Sequence, residues 1–208
     1  RGIRGGVGTS STLAALAYAL HALGQRVLVV DMCPENTLGL HFNLDLAPRD
    51  GWARATLDQQ PWQQQAWTVT PGLCVLPYGQ LEGAELTRLD AMLLDSPQLW
   101  SKRQASLDQA FDWVLFDLPQ RLPGHAGNPQ CAFSFTVLNA DAACHVLLQT
   151  QARQDTVFVV NRYDAGSQLQ RDLALIWHHR YAASVVPINL HADEAMGEAL
   201  ASREPVGR

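Results

Sequence analysis

The stretch of the chain that decides the fold is RGGVGTSS, residues 4–11. Its glycines allow backbone N–H groups to converge on an anion, and the helix predicted to follow adds the positive end of its dipole. Ser10 stands at the start of that helix, where a hydroxyl either ligates a magnesium ion that bridges two phosphates or simply caps the helix. Because Thr9 stands where the standard phosphate loop has lysine, the stretch predicts either a phosphate-binding loop or a plain glycine-rich turn.

Outward from this loop, the hydrophobic pattern predicts alternating helices and strands. Helical spacing of leucines and alanines predicts a first helix over residues 10–23, which ends before Gly24. Further helices are predicted over residues 82–111 with a break near Pro97, 140–148, 167–181 and 193–201. Apolar runs predict strands over residues 27–30, 73–76, 113–116, 133–138, 156–160 and 184–187, whereas residues 33–67 are predicted as loop with short helices. Such alternation predicts the α/β class, with a three-layer, mostly parallel sheet and helices on both faces.

Polar residues follow three of the predicted strands: Asp31, Asp117 and Asn161. In open α/β sheets, ligands bind beyond the carboxyl ends of the strands, where these side chains would meet. Any one of them is equally explained as an ordinary turn residue. Their occurrence together with the glycine loop favours a shared binding site.

Composition excludes several classes of protein. The chain of 208 residues has 15 Lys or Arg and 20 Asp or Glu, and this net charge of −5 argues against a strongly basic nucleic-acid protein. A hydrophobic fraction of 47% supplies one sizeable core, and no apolar run approaches the ~18 residues of a membrane helix. The four cysteines are far apart and form no C-x-x-C pair, which favours reduced thiols in a cytosolic protein over a disulfide framework.

The loop and four further segments resemble the MinD/ParA class of deviant Walker A P-loop ATPases. Residues 27–34 resemble the second motif of that class, residues 114–119 its Walker B strand, residues 161–163 its adenine-facing segment and residues 205–206 its tail motif. Within the class, the chain resembles the BcsQ (YhjQ) family of cellulose-biosynthesis proteins. The sequence motifs that carry this resemblance are RGGVGT, VLVVDMCP, GWARA, DLP, GSQ and DEAM, which begin at residues 4, 27, 51, 117, 166 and 193.

The resemblance implies an ATP and Mg²⁺ site between two copies of the chain. The ATP-binding residues carried over from the class are Arg4, Gly5, Gly6, Val7, Gly8, Thr9, Ser10, Ser11, Asn161 and Arg162. In that arrangement Arg4 reaches the phosphates of the partner subunit, and Ser10 binds Mg²⁺ directly while Asp117 holds a water of the metal. Asn161 reads the adenine ring with Arg162 beside it, and Asp31 lies near the metal and the γ-phosphate.

Two departures from the class bear on hydrolysis. Thr9 replaces the loop lysine whose charge neutralises the β- and γ-phosphates, and phosphoryl transfer depends almost entirely on such electrostatic stabilisation. Cys33 occupies the second acidic position, where a thiol is a poor substitute for a carboxylate. The sequence therefore predicts ATP binding with slow or absent hydrolysis and leaves Asp31 as the one candidate catalytic residue.

By resemblance, the chain is an assembly or regulatory factor of the bacterial cellulose synthase secretion complex. Its partners would be a second copy, a short regulatory subunit and cytosolic parts of the synthase, without nucleic acid and with only indirect membrane contact. This implies a cytoplasmic protein that partners recruit to the inner membrane or the cell pole. The alternatives are an active ParA/MinD-type positioning ATPase that acts on DNA, membrane or polar cargo, and a relative that binds no nucleotide.

Two further expectations concern the extent of the domain and its tryptophans. Residues 1–208 are predicted to form a single P-loop NTPase-like domain, truncated at both ends so that the first strand and a C-terminal helix are missing. Trp52, Trp62, Trp67 and Trp100 cluster in the middle of the chain, where they either pack in the core or form a surface that docks a partner.

Overall fold

The computed structural model describes residues 1–44, 49–120, 129, 131–151, 156–194, 198 and 201. The strands are β1 (Val27–Asp31), β2 (Trp67–Thr70), β3 (Leu73–Leu76), β4 (Trp113–Asp117), β5 (Phe135–Asn139) and β6 (Val157–Asn161). The helices are α1 (Thr9–Ala22), α2 (Trp52–Leu57), α3 (Gly83–Asp95), α4 (Leu99–Leu107), α5 (Ala142–Gln151) and α6 (Gln168–Arg180). Short 3₁₀ helices occupy Leu38–Phe42 and Trp62–Gln65.

The main sheet is built around β1, in the order β2-β3-β1-β4. All five residues of β1 are buried, as expected of a parallel strand covered on both faces. β1 runs parallel to β3 and to β4, and its register with β4 places Asp31 beside Asp117. β2 adds an antiparallel edge. Two of the predicted polar strand ends therefore lie next to each other.

Alternate residues of β1 pack against different helices. Val27 and Val29 lie in one core cluster with Ala14 and Ala17 of α1. Leu28 and Val30 lie in a second core cluster with residues of α3 and α4: Leu89, Leu93, Trp100 and Leu107. The sheet is therefore covered on both faces. The predicted fold class, a mostly parallel sheet in three layers, is confirmed.

A second pair of strands places the remaining part of the site. β5 and β6 are parallel, with Asn139 beside Asn161, and pack with α5 and α6 around the fully buried Trp177. The segment before the glycine loop joins this pair, because the amide of Ile3 donates to the carbonyl of Val137 at 2.9 Å. Within the described residues, this segment forms only an isolated bridge between Gly2 and Val137. Where the domain begins and ends stays a prediction.

Most predicted elements are observed within a few residues, and two differ. The antiparallel strand β2 (Trp67–Thr70) begins where the predicted loop ends and was not predicted as a strand, because Trp-Thr-Val-Thr has no long apolar run and half of it is exposed. The predicted strand over residues 184–187 is wrong, since only Val185 forms a bridge, to Phe158. The predicted helix over residues 193–201 falls mostly outside the described residues. Among the helices described, none is long and apolar enough to cross a membrane.

Candidate nucleotide site at the strand ends

The glycine loop is held in shape from behind by the end of β6. The Nδ2 of Asn161 donates to the carbonyl of Val7 at 2.9 Å, and Nη1 of Arg162 donates to the carbonyl of Gly6 at 2.9 Å. Gly8 caps α1 with φ of 83°, a left-handed conformation that favours glycine. A Cβ at Gly8 would stand 2.5 Å from Nδ2 of Asn161, so the loop and the strand end approach too closely for any larger residue.

The outer side of the loop is open. A Cβ added at Gly5 or Gly6 would meet no atom of the described residues within 4 Å. The first turn of α1 contains no acidic residue. Because the amides of a first helical turn have no partner within the helix, this end of α1 presents donors and positive partial charge to an anion. The cradle therefore fits a phosphate group.

Ser10 and Asp117 are brought together as predicted. The Ser10 hydroxyl donates to Oδ2 of Asp117 at 2.6 Å. Asp117 ends β4 and is buried, and this burial raises the pKa of its carboxyl, an effect that the Ser10 hydrogen bond opposes. A hydroxyl and a carboxylate at the phosphate end of a loop are the hard oxygen donors that Mg²⁺ prefers. The residues present thus fit a magnesium ion.

Asp31 lies beside Asp117 at the end of β1 and is completely buried. Its Oδ1 accepts from the amide of Cys33 at 2.9 Å and its Oδ2 from the amide of Leu38 at 3.1 Å. Burial, together with the nearby charge of Asp117, raises the pKa of Asp31 to about 7, although the two amide hydrogen bonds act in the opposite direction. Two adjacent carboxyls without a cation thus resist ionisation, which is the electrostatic environment that a divalent metal relieves.

Cys33 completes a cluster of three side chains at the ends of β1 and β4. Ligand atoms of Asp31, Cys33 and Asp117 all lie within 4.8 Å of one another. The thiol donates to the carbonyl of Asp117 at 3.6 Å. Burial and the two carboxyls raise the pKa of Cys33, so that the side chain is a neutral thiol near pH 7. It cannot supply the negative charge of a second acidic residue.

Arg4 makes its contacts within its own chain. Its Nη2 lies 2.6 Å from Oδ2 of Asp141, and its Nη1 donates to the carbonyl of Gly5 at 3.0 Å. Asp141 also accepts from the amide of Cys144 at 2.8 Å, as the N-cap of α5. A contact between Arg4 and a partner subunit stays a prediction.

The predicted adenine segment leaves β6 in an unusual conformation. Arg162 has φ of 52°, which is uncommon for a residue with a side chain. Tyr163 then pairs with residues 190–192, since its amide donates to the carbonyl of Leu190 and its carbonyl accepts from Ala192. Adenine contacts of Asn161 and Arg162 stay predictions. The tail motif at residues 205–206 lies outside the described residues.

Two residues that shape the site were not identified from the sequence. Asp141 carried a signal, because Asp directly before a predicted helix is a typical N-cap. No sequence pattern indicated a contact between Trp52 and the site, although the indole Nε1 of Trp52 donates to the carbonyl of Asp31 at 2.7 Å. Of the four clustered tryptophans, Trp52 and Trp100 are buried in the core, Trp62 packs partly buried against it, and Trp67 is 44% exposed. Docking of a partner on this segment stays a prediction.

Comparison with known proteins identifies relatives along the whole chain. The model of a family described as cellulose biosynthesis protein BcsQ matches residues 1–208. The chain is 39% identical over 219 residues to the cellulose biosynthesis protein BcsQ of Escherichia coli strain K12, covering 100% of this chain and 84% of that protein. A second relative, BcsQ of Salmonella typhimurium, is 36% identical over 224 residues, with 100% and 84% covered.

Solved structures with the same fold include nucleotide complexes. Cobyrinic acid a,c-diamide synthase from Mycobacterium smegmatis, with bound ATP analog and magnesium, matches with a TM-score of 0.73 at 23% identity, covering 98% of this chain and 89% of that chain. At these identities the likeness concerns the fold alone.

Proposed function

The chain belongs to the BcsQ family of cellulose biosynthesis proteins, and we propose that it binds ATP with Mg²⁺, dimerises around the nucleotide and regulates assembly of the cellulose synthase complex. It hydrolyses ATP slowly or not at all. In this proposal it acts as a binding module whose dimer geometry depends on the nucleotide, because a ligand shifts the population toward the state that it binds better.

The observation that carries the proposal is the construction of the glycine loop. Asn161 and Arg162 hold the carbonyls of Val7 and Gly6 from behind, which leaves the opposite side of the loop open toward solvent. The loop leads into α1, whose N-terminus carries no acidic side chain. A loop built this way is shaped for a phosphate before any ligand arrives, and the fold is shared with proteins crystallised with ATP analog, ADP and magnesium.

The proposed metal would be held by Ser10 and, through water, by Asp117. A bound Mg²⁺ would neutralise phosphate charge and favour ionisation of the two buried carboxyls. Ser10 already lies within hydrogen-bonding distance of Asp117, so both groups point to one position. Asp31 is held by two amides close to that position and orients the strand end.

Weak hydrolysis follows from the charges that this chain lacks. Thr9 offers no cation to the phosphates, and Cys33 is a neutral thiol beside Asp117. Because Asp117 holds the proposed metal through water, Asp31 is the remaining acidic group, and both of its oxygens accept backbone hydrogen bonds. A group held in this way is poorly available to orient or deprotonate an attacking water.

The proposed partners follow from the family and from Arg4. Arg4 can exchange its own Asp141 for phosphate oxygens of a partner subunit, since both are bidentate acceptors for a guanidinium. The nucleotide-bound dimer would then dock a short regulatory subunit and cytosolic parts of the synthase. The protein would work in the cytoplasm and reach the inner membrane or the cell pole through these partners.

A thermal-shift series with ATP, ADP and GTP, each with and without Mg²⁺, tests the proposal. ATP with Mg²⁺ should raise the Tm most, because a ligand that binds only the folded state stabilises it. Unchanged Tm values with all three nucleotides would contradict the proposal. A single-turnover assay, with and without DNA or lipid vesicles, then separates the switch from an active positioning ATPase, which would hydrolyse ATP briskly.

A further inference from the structure

The indole of Trp52 is hydrogen-bonded to the backbone of the acidic residue that ends β1. Its Nε1 donates to the carbonyl of Asp31 at 2.7 Å, and both residues are almost fully buried. Neighbouring residues of a strand direct their N–H and C=O groups to opposite sides. The amide of Met32 donates to Asp117 in β4, so the carbonyl of Asp31 is directed away from β4, toward β3.

On that side, no residue of β3 pairs with Asp31, so β3 supplies no amide to its carbonyl. Pairing between β1 and β3 stops one residue before Asp31. The residue that follows β3 is Pro77, which has no N–H. The amides of Tyr78 and Gly79, which follow, both donate to Oδ1 of Asn36, at 3.0 and 3.3 Å. The Trp52 indole therefore takes the place of a strand amide at the end of β1.

The backbone of α2 fixes the position of Trp52. The amide of Trp52 donates to the carbonyl of Pro77 at 3.0 Å, and the amide of Ala53 donates to that of Tyr78 at 3.0 Å. Gly51 packs directly on the backbone of Gly79, and a Cβ at Gly51 would collide with it. The start of α2 is thus docked on the segment that follows β3.

The ring of Trp52 is fixed by an aromatic cluster. It meets Tyr78 and Trp100 edge to face, with centroid distances of 5.0 and 4.9 Å. The guanidinium of Arg103 lies over the rings of Trp52, Trp62 and Trp100, at 5.8, 4.9 and 5.2 Å. These contacts hold the indole in one orientation, with Nε1 directed at the Asp31 carbonyl.

We propose that Trp52 is a positioning residue of the nucleotide site, whose indole N–H fixes the backbone of Asp31 and thereby the carboxylate beside Asp117. This inference rests on the proposed function for the identity of the ligand. The Asp31 carboxylate in turn holds the amides of Cys33 and Leu38. Loss of one indole N–H should therefore loosen the whole segment that faces the metal and the γ-phosphate.

The matched pair of variants is Trp52→Phe and Trp100→Phe. Both remove an indole from the same buried cluster and leave an aromatic ring. Within the described residues, Nε1 of Trp100 has no hydrogen-bond partner, whereas Nε1 of Trp52 has Asp31. A role in packing alone predicts similar results for the two variants. A positioning role predicts that only Trp52→Phe affects the site.

Amide hydrogen exchange in the nucleotide-free protein gives the first readout. In Trp52→Phe, the amides of Cys33 and Leu38 should exchange about tenfold faster relative to that of Leu28 in the same core, the effect of one lost buried hydrogen bond. In Trp100→Phe, the same ratio should stay within about twofold of wild type. Equal ratios in the two variants would overturn the proposal. This comparison needs no nucleotide.

Nucleotide affinity gives the second readout. Trp52→Phe should weaken the binding of ATP with Mg²⁺ about tenfold, but the binding of ADP without Mg²⁺ less than about twofold. The two ligands should differ because, in the proposed site, Asp31 faces the metal and the terminal phosphate. Equal loss for both ligands, or equal loss in Trp100→Phe, would overturn the proposal. If wild-type protein binds no nucleotide while the exchange difference is present, the proposed function fails and the placement of Asp31 by Trp52 stands.

If Trp52→Phe does not fold, the proposal can be tested on the wild-type protein. The six indole N–H resonances can be followed by ¹⁵N NMR and assigned by replacing the other five tryptophans. The Trp52 resonance should be slow to exchange and should shift on addition of ATP with Mg²⁺. A rapidly exchanging Trp52 indole, or one unmoved by ATP while the Ser10 amide shifts, would overturn the proposal.

Discussion

The guanidinium of Arg4 lies 2.6 Å from the carboxylate of Asp141 in the same chain, so the residue expected to cross a dimer interface is bound within its own subunit. Both side chains remain about one-third exposed, which leaves the pair free to open. Pairs of this exposure are worth little, about 0.2–1 kcal/mol. A triphosphate on a partner subunit would therefore compete effectively for Arg4.

Asp141→Asn is expected to strengthen ATP-dependent dimerisation by about two- to fivefold, because Arg4 no longer has to leave a carboxylate. The side-chain amide oxygen that this substitution introduces can still accept from the amide of Cys144 and cap α5, so the helix should be preserved. Sedimentation equilibrium with a non-hydrolysable ATP analogue and Mg²⁺ measures the effect. Asp112→Asn, which removes a similar ion pair with Arg26 near the starts of β1 and β4, is the control. Equal dimer affinities in the two variants would contradict the competition.

Ser10→Ala is expected to remove most of the additional stabilisation that Mg²⁺ gives to bound ATP. The hydroxyl that donates to Asp117 is lost, and with it the direct metal ligand of the proposal. We expect a loss of about tenfold or more in affinity for ATP with Mg²⁺, since even the loss of a group that only orients a metal ligand typically costs about 10–100-fold. Thr12→Val is the matched control in the same helix, since its hydroxyl is buried without a partner in the described part of the chain. An unaltered response of Ser10→Ala would remove this residue from the metal site.

Restoring the two charges that the chain lacks should restore hydrolysis. Thr9→Lys supplies a cation at the phosphates, and Cys33→Asp supplies a carboxylate beside Asp117. One preorganised group is typically worth about 10²-fold in rate, and we expect the double variant to gain about that much or more in a single-turnover assay. Without Mg²⁺, Cys33→Asp should also lower the Tm, because it adds a third carboxyl to a buried pair. A double variant as slow as wild type would show that other groups limit hydrolysis.

The raised pKa of Asp31 predicts an unusual dependence of stability on pH in the absence of metal. The folded pKa is about 7 against an ordinary value of 3.8, so the folded state binds more protons between these values. Stability from this group is complete below pH ~4 and falls as pH rises toward 7. Asp31→Asn does not titrate. Between pH ~4 and 7, the free energy of unfolding of Asp31→Asn, measured relative to that of wild type, should therefore rise by at most about 1.4 kcal/mol per pH unit.

Urea unfolding of Asp31→Asn and wild type at several pH values, with EDTA present, measures this difference. Asp117 also has a raised pKa and is present in both proteins, so the comparison reports the titration of Asp31 together with its coupling to Asp117. Curves of stability against pH that run parallel for the two proteins would show that Asp31 is ionised in the folded state throughout.

The parts of the site that were predicted from sequence are those set by local pattern. Ser10 follows a glycine loop, and Asp31, Asp117 and Asn161 end apolar runs that form parallel strands. Parallel strands bring their carboxyl ends to one edge of a sheet, so the proximity of Asp31 and Asp117 followed from the fold class. The departures at Thr9 and Cys33 were visible in the sequence as missing charges.

The parts that were not predicted depend on contacts between distant segments. The hydrogen bond from Trp52 to Asp31 spans 21 residues, and the ion pair from Arg4 to Asp141 spans 137. Neither follows from periodicity or turn chemistry, because each depends on the direction of a long side chain after the helices have packed. β2 was missed for a related reason: an exposed edge strand such as Trp67–Thr70 lacks the apolar run of a buried one.

The central claim is that the loop of residues 4–11 binds a triphosphate without a loop lysine. Isothermal titration calorimetry with a non-hydrolysable ATP analogue tests it most directly. The account predicts saturable binding of one nucleotide per chain in the presence of Mg²⁺, weakened when Mg²⁺ is removed with EDTA. Binding of the analogue that is equal with and without Mg²⁺, or no heat of binding in either condition, would contradict it.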